Sequence, residues 1–343
     1  MKNRFFAMAA LAAALLASCN KETEMINPAP EARPDGASVT ITLSSGDDTQ
    51  TRAFFDATAT AEAWEKSLSS LSVFTFNASG DLILRRDFTV SELASKSATF
   101  SLPKSAAGTE CSFYAVANYD ASSAKTKSAL TALVEKSAGE YNGTFADVST
   151  KALRSGGFVM SGSTTKTVGA VNTSTQVGIS LKRTVAKVAL QTTIAPEFSE
   201  KYPGSITINS VKLSRAASQS LVVAGEPSTG AMSYTHTQTP GTASSKYNSL
   251  FYLYETGTLD AGSRVLLEIN ATYDSDGSSS TSNDRSDVTY SVELTGKAAG
   301  QILRNGYYRV AANITGLVGQ DCQVSVTVAD WETPVTQSVD LGA

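Results

Sequence analysis

The sequence predicts an all-β protein of two antiparallel β-sandwich domains with one short helix. At 343 residues, the chain is longer than one ordinary domain. Runs of strand length recur along it between loops rich in Ser, Gly, Asp and Asn, and only one stretch has helical spacing. With 41% hydrophobic and 17% charged residues, it has enough apolar material for two cores and too little charge for a disordered chain.

Composition and motifs exclude several function classes. The 28 Lys and Arg residues are balanced by 32 Asp and Glu without a block of like charge, so nucleic acid is not expected as a partner. One histidine, His236 in a polar loop, and no G-x-S-x-G motif leave no catalytic residues to assign. The acidic run 274–277 lacks the spacing of a calcium loop and predicts a hairpin turn. We therefore expect no enzyme activity, no metal and no cofactor.

The N-terminus predicts export. Lys2 and Arg4 precede an apolar run of 13 residues, 5–17, which is shorter than the roughly 20 residues that span a bilayer. Residues 16–19, Leu-Ala-Ser-Cys, resemble the lipobox of bacterial lipoproteins, in which the cysteine carries acyl chains such as palmitate. Residues 1–18 are interpreted as a lipoprotein signal peptide and Cys19 as the lipidation site. An ordinary secretory signal remains the alternative.

A tether and a first domain follow. Residues 19–36 contain Pro28, Pro30 and Pro34, which is typical of a tether, and the first domain is assigned to residues 37–181. Its strands are predicted at 39–43, 71–76, 82–88, 98–102, 111–117, 158–160 and 177–181. The one helix is predicted over 128–136, where Leu130, Leu133 and Val134 share a face.

The second domain is assigned to residues 182–343, because Leu181-Lys182-Arg183 interrupts the apolar runs on either side. Its strands are predicted at 185–190, 206–213, 220–223, 250–254, 265–273, 288–294, 307–314 and 324–328. Scattered cations are expected at exposed positions, and these are Lys151, Arg154, Lys182, Arg183 and Lys187. Cys111 and Cys322 are interpreted as buried small hydrophobes, and the sequence does not decide whether they pair.

The two ends of the exported chain carry similar apolar rows. Val39, Ile41 and Leu43 alternate with threonines near the N-terminus. At the C-terminus the same period of two is formed by Val335, Val339 and Leu341, with Gln337 interrupting it. Two distant segments could therefore offer a sheet the same apolar row, or each could be an edge strand of its own domain.

Several blocks resemble a known family, the Bacteroidales-type (type V) fimbrillins. The blocks are Arg52-Ala53-Phe54 and residues 114–118, 157–162, 181–188, 302–310, 313–316 and 326–331. The resemblance covers nearly the whole chain and is greatest to the major fimbrial shaft subunit.

The resemblance implies a fold and a mechanism. Fimbrillins have two transthyretin-like β-sandwich domains and reach the outer membrane as lipoproteins. An arginine-specific protease then cuts behind the first strand, here between Arg52 and Ala53, since Pro34 excludes Arg33. The cut would remove the lipid anchor and the displaced strand with Val39, Ile41 and Leu43. A donor strand from another copy, carrying Val335, Val339 and Leu341, would take its place.

The resemblance therefore implies a structural pilin of a cell-surface fimbrium that supports adhesion. Its expected partners are other copies of itself, accessory pilus subunits and the protease. The alternative is a monomeric surface lipoprotein that binds glycans, which predicts exposed aromatic side chains on a loop rim.

Overall fold

The computed structural model describes residues 36–44, 55, 61–227, 232–296 and 299–317, together with the backbone of residues 323–330. Strands dominate these ranges, and the helices are short. The α-helices are α1 Val90–Ser95, α2 Lys127–Thr131, α3 Phe145–Val148 and α4 Pro196–Lys201. The 3₁₀ helices are Ala63–Lys66, Lys104–Ala106 and Ala138–Tyr141. In the described ranges, no helix has the length and apolar character needed to cross a membrane.

The strands fall into two groups, before and after Thr184. The first group is β1 Ala37–Ser44, β2 Leu71–Phe76, β3 Leu82–Asp87, β4 Ser97–Leu102, β5 Glu110–Ala117, β6 Val134–Glu135, β7 Met160–Thr167, β8 Ser174–Ser180 and β9 Lys182–Arg183. The second group is β10 Val185–Ile194, β11 Ser205–Ala216, β12 Ser220–Leu221, β13 Tyr234–Gln238, β14 Gly241–Ala243, β15 Lys246–Tyr254, β16 Leu266–Asp274, β17 Arg285–Glu293, β18 Gly306–Ile314 and β19 Gln323–Asp330.

Each group forms two sheets around a core, which confirms the predicted all-β sandwich fold. In the first group, a three-stranded sheet of order β4-β1-β8 encloses a core with a five-stranded sheet of order β3-β2-β5-β7-β9. In the second, the orders are β14-β15-β10-β18-β19 and β13-β11-β16-β17. The first six residues of β10 are all buried, and five of them are apolar, because the strand lies inside its sheet with both faces covered.

The two groups share one strand arrangement. β1 lies between antiparallel β4 and parallel β8, and β10 lies between antiparallel β15 and parallel β18. The first strand of each group is thus inserted between strands that come later in the chain. These two parallel pairs depart from the purely antiparallel sheets expected from the sequence.

The chain passes directly from the first group to the second. β8 leads through Leu181 into β9, which pairs with β7, and only Thr184 separates β9 from β10. We call residues 181–187 the junction. Because β1 runs parallel to β8, it begins far from the junction and ends beside it, where the Leu181 amide donates to the Ser44 carbonyl at 2.9 Å.

The predicted helix over 128–136 is wrong in its second half. Helix α2 ends at Thr131, and Val134–Glu135 forms β6, which pairs with β12 from the second group. Pairing with a distant strand overrides the local helical spacing here.

The predicted loop around His236 is also wrong. His236 lies in β13 and pairs with Leu213 of β11. The strand was not predicted because the residues next to His236 are polar. A half-exposed strand needs few apolar residues, so it shows no clear apolar pattern.

Candidate assembly site around strand β1

Strand β1 holds its sheet together. Its residues 37–42 pair with β4 and residues 38–44 pair with β8, and in the part of the chain that the structure describes neither neighbour has another partner in this sheet. If β1 were removed, two separated strands would face an empty slot with unpaired backbone groups. Such groups invite pairing with another strand.

The side chains of β1 make this slot apolar inside and polar outside. Val39 and Ile41 are 0% exposed and Leu43 is 4% exposed, all within the first core. Thr40 lies on the other face, where its hydroxyl oxygen is 2.9 Å from that of Thr99 on β4. The structure thus brings together the three residues assigned to the displaced strand, and any replacement must offer the same alternation.

Gly162 sets how closely the two sheets approach beside this slot. It lies on β7, and a Cβ atom added there would lie 2.1 Å from the carbonyl oxygen of Ser180 at the end of β8. No other residue type fits without moving β8 away from the opposite sheet.

Residues after the predicted cut remain attached to the body of the protein. The guanidinium carbon of Arg309, on β18, lies 4.8 Å from the centre of the Phe55 ring. We call the 3₁₀ helix Ala63–Lys66 the junction helix. Its Trp64 packs against Phe158 of the first group and Tyr252 of the second, at ring distances of 5.9 and 6.3 Å.

A buried ionic network fixes the junction helix. Glu65 is 0% exposed, and its Oε1 accepts hydrogen bonds from Lys187 Nζ at 2.8 Å and from the Tyr252 hydroxyl at 2.7 Å. Arg183 Nε donates to the Glu65 carbonyl at 2.8 Å. Burial alone raises the pKa of Glu65, but the charges of Lys187 and Arg183 and the hydrogen bonds outweigh it, so the pKa is lowered.

The expectation that Arg183 and Lys187 are exposed is wrong. They are only 1% and 6% exposed, because their charges meet Glu65. Sequence reasoning missed Glu65 altogether. The available signal was Lys187 inside the apolar run 185–190, since a cation in a buried strand requires an anionic partner.

Several predicted site residues lie outside the described residues. They are Cys19, Arg52, Ala53, Val335, Val339 and Leu341, together with Cys322. Cys111 is buried on β5, as expected. Strand β19, whose backbone is described, lies at the edge of its sheet next to β18.

The acidic run at 274–277 forms a hairpin turn, as expected. It begins at Asp274, the last residue of β16, and lies in the connection to antiparallel β17. The Asp274, Asp276 and Asp284 carboxylates lie within 4.8 Å of one another, and Asp274 is paired with Arg285 at 3.1 Å. Each of the three carboxylates already accepts a hydrogen bond from a backbone amide of the loop, as in the Ser278 amide donating to Asp276 at 2.7 Å.

The aromatic rim that glycan binding predicts is not found in the described ranges. There the only large hydrophobic residue that is mostly exposed is Val90, while Trp64 is partly buried. The structure therefore offers no observation in favour of the glycan-binding alternative.

Solved structures with a similar fold include adhesion and fimbrial proteins. A candidate cell adhesion protein from Bacteroides eggerthii is 19% identical, with a TM-score of 0.58 over 87% of this chain and 96% of its own. A second, from Parabacteroides distasonis, is 15% identical, with a TM-score of 0.59 over 89% and 99%. The C-terminally truncated tip fimbrial protein Mfa3 from Porphyromonas gingivalis is 13% identical, with a TM-score of 0.54 over 86% and 100%. At these identities the likeness establishes the fold.

The match to a family model defines the class as a fimbrial subunit. A family model described as major fimbrial subunit protein (FimA) matches residues 37–295. The chain belongs to this family, which confirms the resemblance to fimbrillins seen in the sequence. No curated protein matches it significantly. The family is structural rather than enzymatic, and its members form a cell-surface appendage by assembling with other fimbrial subunits.

Proposed function

We propose that the chain is a fimbrial shaft subunit that polymerises when proteolysis removes β1 and another copy's C-terminal segment replaces it. The observation that carries this proposal is the central position of β1 between β4 and β8. A strand at the edge could leave with little damage, whereas loss of this one opens the sheet and the core together. The proposed donor residues include Val335, Val339 and Leu341.

The order of events in the proposed assembly follows from the order of the lipidation site, β1 and the cut site along the chain. Export and acylation at Cys19 would hold the precursor on the outer membrane. Cleavage between Arg52 and Ala53 would then release the anchor and β1 in one step, because both lie before the cut. Phe55 and the junction helix lie after the cut and stay bound to the second group. The division into units at 37–181 and 182–343 is part of the same proposal.

The free energies gained and lost when a strand refills the slot nearly balance for the strand itself. Burying Val39, Ile41 and Leu43 contributes on the order of 5–8 kcal/mol, and each ladder hydrogen bond adds about 1 kcal/mol. Ordering a donor strand of about ten residues costs roughly 10 kcal/mol or more of backbone entropy. The two sums are similar, so a donated strand is stable mainly because the exposed core is closed again.

Proteolysis of the purified precursor tests the proposal. Treatment with a trypsin-like protease should produce SDS-resistant ladders from the wild-type precursor. An Arg52→Ala variant should produce none, whereas the matched variant Arg33→Ala should behave as the wild type because Pro34 already protects that bond. Ladders from Arg52→Ala would contradict the proposal. A specific glycan affinity without any ladder would favour the alternative of a monomeric glycan-binding lipoprotein.

A further inference from the structure

We infer that a strap from the second strand group keeps the first group folded while its slot is empty. The strap is residues 220–223, which comprise β12 and the two valines that follow it. This inference rests on the proposed removal of β1 and concerns the subunit between the cut and the arrival of a new strand. It gives the second group a role in holding the first group ready to accept that strand.

Loss of β1 uncovers only one face of the five-stranded sheet in the first group. Alternate residues of a strand face opposite sides of its sheet. On β2, Leu71 and Val73 face the first core, which β1 helps to close. Phe74 and Phe76 are buried in a separate apolar cluster, which we call the outer layer. Among the described residues, none on β1, β4 or β8 belongs to the outer layer, so it persists when β1 leaves.

The strap supplies part of the outer layer. Val222 and Val223 are buried in the same cluster as Phe74 and Phe76 of β2. The first group contributes a further part of the cover through Ala121, Ala124 and Leu130. The second group thus keeps water from the outer face of this sheet, and this apolar burial is independent of β1.

Hydrogen bonds attach the strap to the first group. β12 pairs with β6, and the Val222 amide donates to the Leu133 carbonyl at 2.9 Å. On the sheet itself, the hydroxyl of Ser161 on β7 donates to the Val222 carbonyl at 2.7 Å. Ser161 is buried, so breaking this hydrogen bond would leave polar groups without water as a partner. The strap therefore holds β7 through a polar contact as well as an apolar one.

A buried ion pair fixes the strap to the second group. Arg304 pairs with Glu255, and both side chains are largely buried. Arg304 Nη2 also donates to the Leu221 carbonyl at 2.8 Å, and the Ser220 hydroxyl donates to Glu255 Oε1 at 3.2 Å. Both charged residues belong to the second group, so the position of the strap is set by a part of the molecule that the cut leaves intact.

Hydrogen–deuterium exchange of the cut protein, read by mass spectrometry, tests the inference. The chain lacks residues 331–343, so that in the proposed assembly it does not donate a strand, and an arginine-specific protease makes the cut. β4 and β8 then lose β1, their shared partner in the described sheet, and should exchange quickly. β2, β5 and β7 should exchange at least about 100-fold more slowly, because the strap and the outer layer still hold them.

Two valines give a matched comparison. Val222→Ala removes two methyl groups from the strap, and Val265→Ala removes the same groups from the second core, where Val265 is also 0% exposed. In the cut chain, Val222→Ala should speed the exchange of β2, β5 and β7 about ten-fold, because it leaves a cavity in the outer layer. Val265→Ala should leave the exchange of these three strands unchanged.

The outcomes separate the strap from the proposed function. If β2, β5 and β7 exchange as fast as β4 and β8 in the cut chain, the role of the strap is overturned, while the opening of the slot stands. Equal effects of Val222→Ala and Val265→Ala on β2, β5 and β7 would overturn it as well. Slow exchange of β4 and β8 after the cut would show that β1 has not left, which contradicts the proposed function and this inference with it.

Discussion

The contact between Lys187 and Glu65 joins the two strand groups through one buried charge pair. Glu65 belongs to the helix that follows the proposed cut, and Lys187 belongs to the first strand of the second group. A carboxylate left in this site without its cation would be costly. The pair therefore fixes the junction helix on the second group, whether or not β1 is present.

Replacing Lys187 by methionine should destabilise the protein. We expect Lys187→Met to lower the free energy of unfolding by about 3–5 kcal/mol, because Glu65 then lacks its buried cation. Urea unfolding followed by circular dichroism measures this change. Lys151→Met is the control, since Lys151 pairs with Asp147 on the surface at 3.5 Å and should have no measurable effect. Equal effects of the two substitutions would refute the role assigned to the buried pair.

The lowered pKa of Glu65 predicts a pH dependence. A carboxyl group whose pKa is lower in the folded state stabilises the protein above its unfolded pKa, near 4.5, and loses this contribution as pH falls through the folded value. Between pH 5 and 3 the wild type should thus lose more stability than Glu65→Gln. Glu200→Gln, at an exposed position, serves as the control and should keep the wild-type profile. Parallel profiles for wild type and Glu65→Gln would count against the network.

At the scale of single elements, β1 should contribute to the stability of the uncut precursor and not to that of the assembled subunit. Ile41→Ala should lower the unfolding free energy of the uncut precursor by about 2–5 kcal/mol, because it leaves a cavity in the first core. The same variant should form polymers as stable as those of the wild type, since the proposed cut removes β1 from them. Ile269→Ala, in the second core, should weaken both forms. A polymer weakened by Ile41→Ala would show that β1 stays in place.

Alanine substitutions at two glycines test whether the close approach of β8 to β7 requires a residue without a side chain. Gly162→Ala should destabilise the precursor by about 1–3 kcal/mol, because the added methyl group meets the carbonyl of Ser180. Gly178, on β8 itself, has open space around its Cβ position, so Gly178→Ala should be neutral or slightly stabilising. Thermal unfolding of both variants measures the difference, and equal melting temperatures would contradict this account of the site.

The sequence predicted those strands in which apolar and polar residues alternate along the chain, because such alternation decides which side chains pack into the core. Val39, Ile41 and Leu43 revealed β1, since alternate residues face one side of any strand. β13 was missed because its Thr-His-Thr-Gln run has no apolar alternation. The parallel partner of β1, and the ion pair between residues 65 and 187, depend on contacts between distant parts of the chain. A local pattern can show that Lys187 needs a partner, but it does not identify which distant residue supplies the contact.

At the scale of the whole molecule, the proposed assembly places slot and donor on different strand groups, so each proposed contact joins unlike surfaces and would leave the assembly open-ended. In the proposed assembly, a variant that lacks residues 331–343 would accept a strand and could not donate one. Mixed with the wild type before proteolysis, it should shorten the ladders in proportion to its share. Unchanged ladder lengths, with the variant folded by circular dichroism, would contradict donation by this segment.

The most direct test of the account is a cryo-electron microscopy map of the assembled filament, read between β4 and β8 of one subunit. The account predicts a strand there that belongs to the C-terminal segment of a neighbouring copy, continuous with that neighbour's second strand group. Residues 37–44 of the same subunit, still lying between β4 and β8, would contradict it.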